Sequence, residues 1–390
     1  VIRQPAVSGG DAPRVLYLSL ETLRPGQASH THVRTIADGL GAAGLPTRLI
    51  AQELAEGAPR DSRIGRLLRY LTLSLRGLAA LRSVDVAYVR AHPAALPFSF
   101  VARLLGKPVV HEVNGRTADI GVSYGLPGWL TAGLNWVQIV QYRWAAGVVA
   151  VTPGLKAWLA AILGRDDTLH LVPNGADGAL FRPDAPGGPQ IDGDYALFFG
   201  GLVAWHGVET MLAAVRQPAW PAALRLVVVG DGQLAPQLRQ AAAADPRILA
   251  LGYLPKTELA GLAARAYTVL CPIEPHGARD EGGVAPLKLF EGMAAGRPVI
   301  VTELPFQADL VRRHGCGLVV PTADPVALAE AAATLIRERA SADAMGRQGR
   351  TAVETLYDWR FRVADTVAVL QNLVAGDRMR RGRRGRLRPD

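Results

Sequence analysis

YALFFGGLVAWHGVETMLAAV, residues 195–215, contains a complete strand–turn–helix unit. Five consecutive apolar residues, Tyr195 to Phe199, suit a strand buried on both faces, as in a parallel sheet. Gly200 and Gly201 break the run, and Val208, Met211, Leu212 and Val215 then recur at helical spacing. A turn of this kind aims the first amides of its helix at an anion beyond the strand's carboxyl end.

The same unit repeats in both directions. Toward the C-terminus, apolar runs at 224–229, 267–271 and 299–302 lead into Gly- or Pro-bearing loops, and 15–18, 84–89, 109–113 and 148–151 do so in the first half. Alternating βα units of this kind imply two parallel sheets. At 390 residues the chain exceeds the size at which one core keeps growing, so two domains with a cleft are expected. RPDAPGGPQIDGD, 182–194, is too rich in Pro and Gly for regular structure and reads as the connector. The expected domains are 1–184 and 185–355, followed by a helix at 356–376 and a basic tail at 377–390. Asp192 and Asp194 form a DxD pair, but within the connector they read as turn residues rather than metal ligands.

Hydrophobic residues make up 49% and charged residues 20%, the balance of a chain that folds around cores. Of the net charge of +9, the tail carries five, from seven Arg against two Asp between Asp377 and Asp390. This Arg/Gly run cannot bury apolar surface, so disorder is expected there, and no specific nucleic-acid partner. Cys271 and Cys316 are the only cysteines, which argues against a disulfide framework or zinc site and suits a reducing, cytoplasmic setting. Residues 1–13 hold no apolar core of signal-peptide length, and no apolar stretch approaches the roughly 20 residues of a membrane span.

In open parallel sheets, ligands bind beyond the carboxyl ends of the strands. After the first strand, Gly26 leads into a helix near Ser29, as a turn glycine or a ligand contact. PVVHEVNGR, 108–116, sets His111, Glu112, Asn114 and Arg116 after an apolar strand, and four polar groups at a sheet mouth favour function over packing. In RIGRLLRYLTLSLRGL, Ile64, Leu67, Leu68, Leu71, Leu75 and Leu78 form one helical stripe opposite Arg66, Arg69 and Arg76. Packing of this stripe on its own domain is favoured, with contact of residues 60–82 with a membrane surface as the alternative.

LHLVPNGADGALFRP, 169–183, closely resembles the V-P-N-G-V-D-x-x-x-F-x-P segment of family 4 GT-B glycosyltransferases through Asn174, Gly175, Asp177, Phe181 and Pro183. The 195–215 unit is similar to the family's G-R-L-x-x-x-K-G turn, with Gly201 and His206 in place of its Arg and Lys. Trp205 to Gly207 give the W-H-G form of one subgroup. LRLVVVGDGQ resembles the family's G-x-G loop, and LGYLPKTELAGLAARA the segment bordering the nucleobase, where Tyr253 or Leu254 can pack on the base. EGGVAPLKLFEGMAAGRPVI, 281–300, strongly resembles the E-x7-E region, with Lys288 and Glu291 on one helical face. The second acid of that region falls on Glu291 and the first on Gly283, leaving Glu281, Asp280 or Glu274 as substitutes. YDWRFR, 357–362, resembles the start of the helix that crosses back to the N-terminal domain.

The resemblance implies an α/β GT-B fold, with two Rossmann-like domains facing across a cleft and a C-terminal crossover helix. It implies a retaining, metal-independent glycosyltransferase (EC 2.4) that uses a nucleotide-diphosphate sugar and no other cofactor. In that reading Glu291 holds the donor ribose, while Lys288, His206 and amides at Gly201, Gly282, Gly283 and Val284 stabilise the leaving diphosphate. His111 stands by the transferred sugar, and Glu112, Asn114 and Arg116 line the acceptor side. The acceptor is a glycan, a lipid-linked molecule or a small molecule, met in the cytoplasm or at the inner face of the membrane. A nonhydrolysing nucleotide-sugar epimerase and a noncatalytic sugar-nucleotide-binding protein remain as alternatives.

Overall fold

The computed structural model of the chain describes residues 12–54, 62–275 and 279–386. They form two compact units, one of Val1–Pro25, Ser29–Val172 and Arg360–Asp390, the other of Gly26–Ala28 and Pro173–Trp359. In the first, β1 (Val15–Leu23), β2 (Thr47–Glu53), β3 (Val86–Arg90), β4 (Val109–Val113), β5 (Gly147–Ala150) and β6 (Leu169–Leu171) make a sheet of order β2-β1-β3-β4-β5-β6. In the second, β7 (Tyr195–Phe199), β8 (Arg225–Val229), β9 (Ile248–Gly252), β10 (Thr268–Cys271), β11 (Val299–Thr302) and β12 (Gly317–Val320) follow the order β12-β11-β10-β7-β8-β9. Every pairing is parallel.

The eight expected strands all form. The other four, β2, β6, β9 and β12, are the outer strands of their sheets, where one side lacks a neighbour and a continuous apolar run is not required. β7 shows why the inner strands are legible: Tyr195, Leu197 and Phe199 enter the core on one face, Ala196 and Phe198 that on the other. Helix Val208–Val215 covers the second face with Val208, Met211, Leu212 and Val215, while helix Leu287–Ala294 covers the first with Leu289, Phe290 and Met293. After β8, Gly230 takes φ +139, and a Cβ there would stand 1.9 Å from the Gly200 carbonyl oxygen, so only glycine lets the two loops meet.

Three expectations need correction. The chain enters the second unit at Pro173, before the Pro/Gly-rich connector rather than at 184/185. The Pro-Asn-Gly segment belongs there because Phe181 is fully buried in that core and Arg350 Nη1 donates to the carbonyls of Gly178, Phe181 and Ala294, each at 2.9 Å. The terminal helix spans Trp359–Arg386, so most of the tail expected to be disordered is helical. Arginine is a good helix former, and the segment extends a helix already nucleated upstream. Residues 387–390 lie outside the described residues. From Arg360 onward this helix joins the first unit, with Val363 against Gly39 and Leu373 against Gly147.

The third concerns helix Arg63–Ala80. It packs through Leu73, Ser74, Gly77 and Ala80, and Gly77 admits Phe98 to 3.1 Å of where a Cβ would stand. The leucine stripe points the other way: Ile64 is 73% and Leu67 67% exposed, with Leu68, Leu71 and Leu75 also exposed. Of the stripe, Leu78 alone packs on the core of its own unit, so the expected packing is overturned for the other five residues. Of the DxD pair, Asp194 is ion-paired with Arg339.

Candidate functional site

The carboxyl end of β7 carries the first cluster. The amides of Gly200 and Leu202 are used by the Val229 and Asp231 carbonyls at 2.9 Å each, whereas the Gly201 amide between them meets no acceptor among the described residues. His206 Nδ1 lies 2.5 Å from the Gly201 carbonyl oxygen and so donates to it. That bond fixes the tautomer, and Nε2 can donate to an anion only when the ring is protonated.

Helix Leu287–Ala294 brings Lys288 to the same turn. Its side chain is buried, its Nζ and Cε lie 3.4 Å from where a Cβ of Gly200 would stand, and Nζ sits 3.8 Å from the Phe198 ring centroid. Nζ has no hydrogen-bond partner among the described residues. Burial pushes the ammonium down to about 8, against the opposing pull of Cys271 and Glu291. An ammonium held dry beside an amide-bearing turn is chemically suited to an anion. One turn along, Glu291 is 5% exposed and accepts from Lys256 Nζ at 2.9 Å. Lys256 was not foreseen: it opens helix Lys256–Arg265, 35 positions earlier, and only the fold unites the pair.

Gly283 explains the missing family acid. It takes φ +72, and a Cβ there would stand 2.8 Å from the Pro305 carbonyl oxygen, so this backbone admits no side chain. The Val284 amide donates to that same carbonyl at 3.2 Å, which removes it from the phosphate donors expected from sequence. Gly282 is buried beside it and Glu281 is exposed. Glu274 is occupied, accepting from the Thr210 hydroxyl, while its amide donates to the Trp205 carbonyl at 2.9 Å. The Asp280 side chain lies outside the described residues. Tyr253 is half-buried after β9, Leu254 packs against the core, and Gly26 turns the chain after β1 with φ +81. Asn174 Nδ2 donates to the Ala285 carbonyl at 2.6 Å, tying the Pro-Asn-Gly turn to the start of the Lys288 helix.

In the first unit, His111 lies within β4, 1% exposed. Ser99 Oγ donates to Gln141 Oε1 at 3.1 Å and stands 3.3 Å from His111 Nε2, which must then be the donor, leaving Nδ1 unpartnered. Burial pushes the ring down to about 4. The His111 ring is thus held neutral inside the sheet layer and is not presented at the strand's open end as expected. Glu112, equally buried, is a hub: Tyr17 and Tyr88 hydroxyls donate to Oε2 at 3.2 and 2.8 Å, Arg90 Nη1 to Oε1 at 2.9 Å and Asn114 Nδ2 to Oε1 at 2.5 Å. His32 Nε2 lies 2.9 Å from the Glu112 carboxylate, and Arg90 Nε reaches Glu21 at 2.9 Å. Burial opposes ionisation of Glu112, but His32, Arg90 and Asn114 outweigh it and hold the carboxyl well below the usual range. Only Asn114 and Arg116 of the expected cluster are half-exposed at the strand end, Arg116 stacking over Trp158 at 5.0 Å.

The model of Glycosyltransferase Family 4 matches residues 29–179 and that of Glycosyl transferases group 1 matches residues 193–338, one on each side of the connector. The phosphatidyl-myo-inositol mannosyltransferase of Mycobacterium leprae is 27% identical over 384 residues, covering 93% of this chain and 94% of that protein. A GDP-mannose-dependent alpha-mannosyltransferase of Mycobacterium tuberculosis is 28% identical over 280 residues, 68% of each chain. Among solved structures, sucrose-phosphate synthase from Thermosynechococcus elongatus superposes with a TM-score of 0.75 at 19% identity, over 94% of this chain and 100% of that one. HepE of Anabaena in complex with UDP and glucose gives 0.68 at 15%, over 92% and 100%. With a family model on either side of the connector, a relative aligned along nearly its whole length and two parallel six-stranded sheets, the chain belongs to the family 4 glycosyltransferases of GT-B fold, enzymes that use nucleotide sugars.

Proposed function

We propose that the protein transfers a hexosyl group from a nucleoside-diphosphate sugar to a lipid-borne acceptor at a membrane surface, with retention of configuration and without a metal ion. The carrying observation is the cluster of Lys288, the Gly201 amide and Glu291 at the carboxyl end of β7. Glu291 accepts from ribose hydroxyls, while Lys288 and the amide neutralise charge on the diphosphate as its bond to the sugar breaks, the role a metal plays elsewhere. The acceptor oxygen then bonds to the same face of the anomeric carbon, and its proton leaves with the diphosphate. Relatives named as GDP-mannose-dependent make GDP-mannose the first donor to test.

The acceptor reading rests on the outward leucine stripe of helix Arg63–Ala80. On neighbouring helices Leu96–Leu104 and Gly128–Trp144, Phe100, Leu104, Trp129 and Trp136 are exposed as well. Apolar faces of this extent with interfacial tryptophans suit the boundary of a bilayer, and no described helix is long and apolar enough to cross one. The inner face of the membrane is the proposed location. The test is incubation with GDP-mannose or UDP-glucose, EDTA and phosphatidylinositol vesicles. A glycolipid with the donor's anomeric configuration is expected; an inverted product, dependence on added metal, or an altered nucleotide sugar released without acceptor would each overturn the corresponding part.

A further inference from the structure

Glu291 is bonded on one side only. Lys256 Nζ donates to Oε1 at 2.9 Å, while Oε2 accepts no hydrogen bond from the described residues. The carboxylate is 5% exposed, and Lys256 is the one cation within hydrogen-bond reach of it among the described residues. Lys256 is itself fixed, as the first residue of helix Lys256–Arg265 after Pro255, with Nζ 5.7 Å from the buried Phe181 ring.

We propose that Lys256 is a positioning residue that makes this enzyme select ribose over deoxyribose. Resting on the reading of Glu291 as the ribose holder, it adds that Lys256 pins Oε1 and turns Oε2 toward the ribose hydroxyls as an acceptor. A carboxylate has about four lone-pair sites, so one anchored oxygen leaves enough acceptors for two hydroxyl donors. Without Lys256 the buried carboxylate loses its one cationic anchor among the described residues and rotates away. Ribose then loses its partner, while contacts to diphosphate and base stay as they were.

Calorimetric titration of GDP and UDP, each beside its 2′-deoxy counterpart, tests this at pH 7 in EDTA. In the wild type the ribonucleotide that binds should outcompete its deoxy form by about tenfold, the worth of one charge-assisted hydrogen bond. Lys256→Met should shrink that ratio to about twofold by weakening the ribonucleotide alone, and Lys256→Arg should restore it. Lys256→Gln replaces the methionine variant should thermal unfolding show that variant unfolded. An unchanged ratio in the variant, or equal weakening of both forms, overturns the positioning role and leaves the Glu291 reading intact. A wild type that does not distinguish the two forms overturns that reading, and the role of Lys256 with it.

Discussion

Lys288→Met separates stability from function in one residue. In the folded protein the ammonium is buried and its pKa falls from 10.5 to about 8, which corresponds to about 3 kcal/mol of net cost after the favourable pull of Cys271 and Glu291. The Phe198 face returns about 1–2 kcal/mol of that. Methionine matches the length of the side chain without the charge, so the ligand-free variant should be more stable than wild type at pH 7 by about 1–2 kcal/mol, a rise of about 2–8 °C in Tm. The pH dependence has a fixed sign. Below about pH 8 the lysine is charged in both folded and unfolded chains and the cost is fully present. Between about pH 8 and 10.5 the folded form loses its proton first, wild-type stability gains on the variant, and the difference in Tm closes. The same substitution should weaken nucleoside diphosphate binding roughly 10- to 150-fold, the loss of a charge-assisted contact. Thermal unfolding across pH, with and without GDP or UDP, measures both. A variant less stable than wild type at pH 7, or one that binds nucleotide equally well, refutes the reasoning.

Other changes probe the remaining parts. Glu112→Gln leaves the buried Arg90 guanidinium without its nearest counter-charge and should cost about 3–5 kcal/mol, read by urea unfolding. Gly283→Ala forces a side chain into the left-handed region against the Pro305 carbonyl; a loss of about 1–3 kcal/mol and weaker nucleotide binding are expected by thermal shift and calorimetry. Replacing Leu67, Leu71 and Leu75 by Gln removes exposed apolar surface only, so Tm should hold while flotation on anionic vesicles is lost; retained flotation would sink the membrane reading.

Much of the fold was legible because the inner strands of a parallel sheet are buried on both faces and read as short apolar runs. The edge strands escaped for the same reason reversed: in β2, TRLIAQE, only Ile50 is fully buried. Lys288 and Glu291 were legible as helical neighbours, and their burial and pairing follow from where that helix sits. Lys256 was not, because no local pattern marks a lysine whose partner lies 35 positions away. His111 misled because β4 continues through Glu112 to Val113, which puts the ring inside the sheet layer instead of at its mouth. Amphipathic spacing revealed the leucine stripe but not its direction, which the small residues Ser74, Gly77 and Ala80 on the opposite side decide by packing closest.

Titration of the wild type and Glu291→Ala with GDP and UDP in EDTA is the most direct test of how the donor is held. Tight metal-free binding of at least one nucleotide by the wild type, reduced about tenfold or more in the variant, is the expected result. Equal affinity in the two proteins contradicts it.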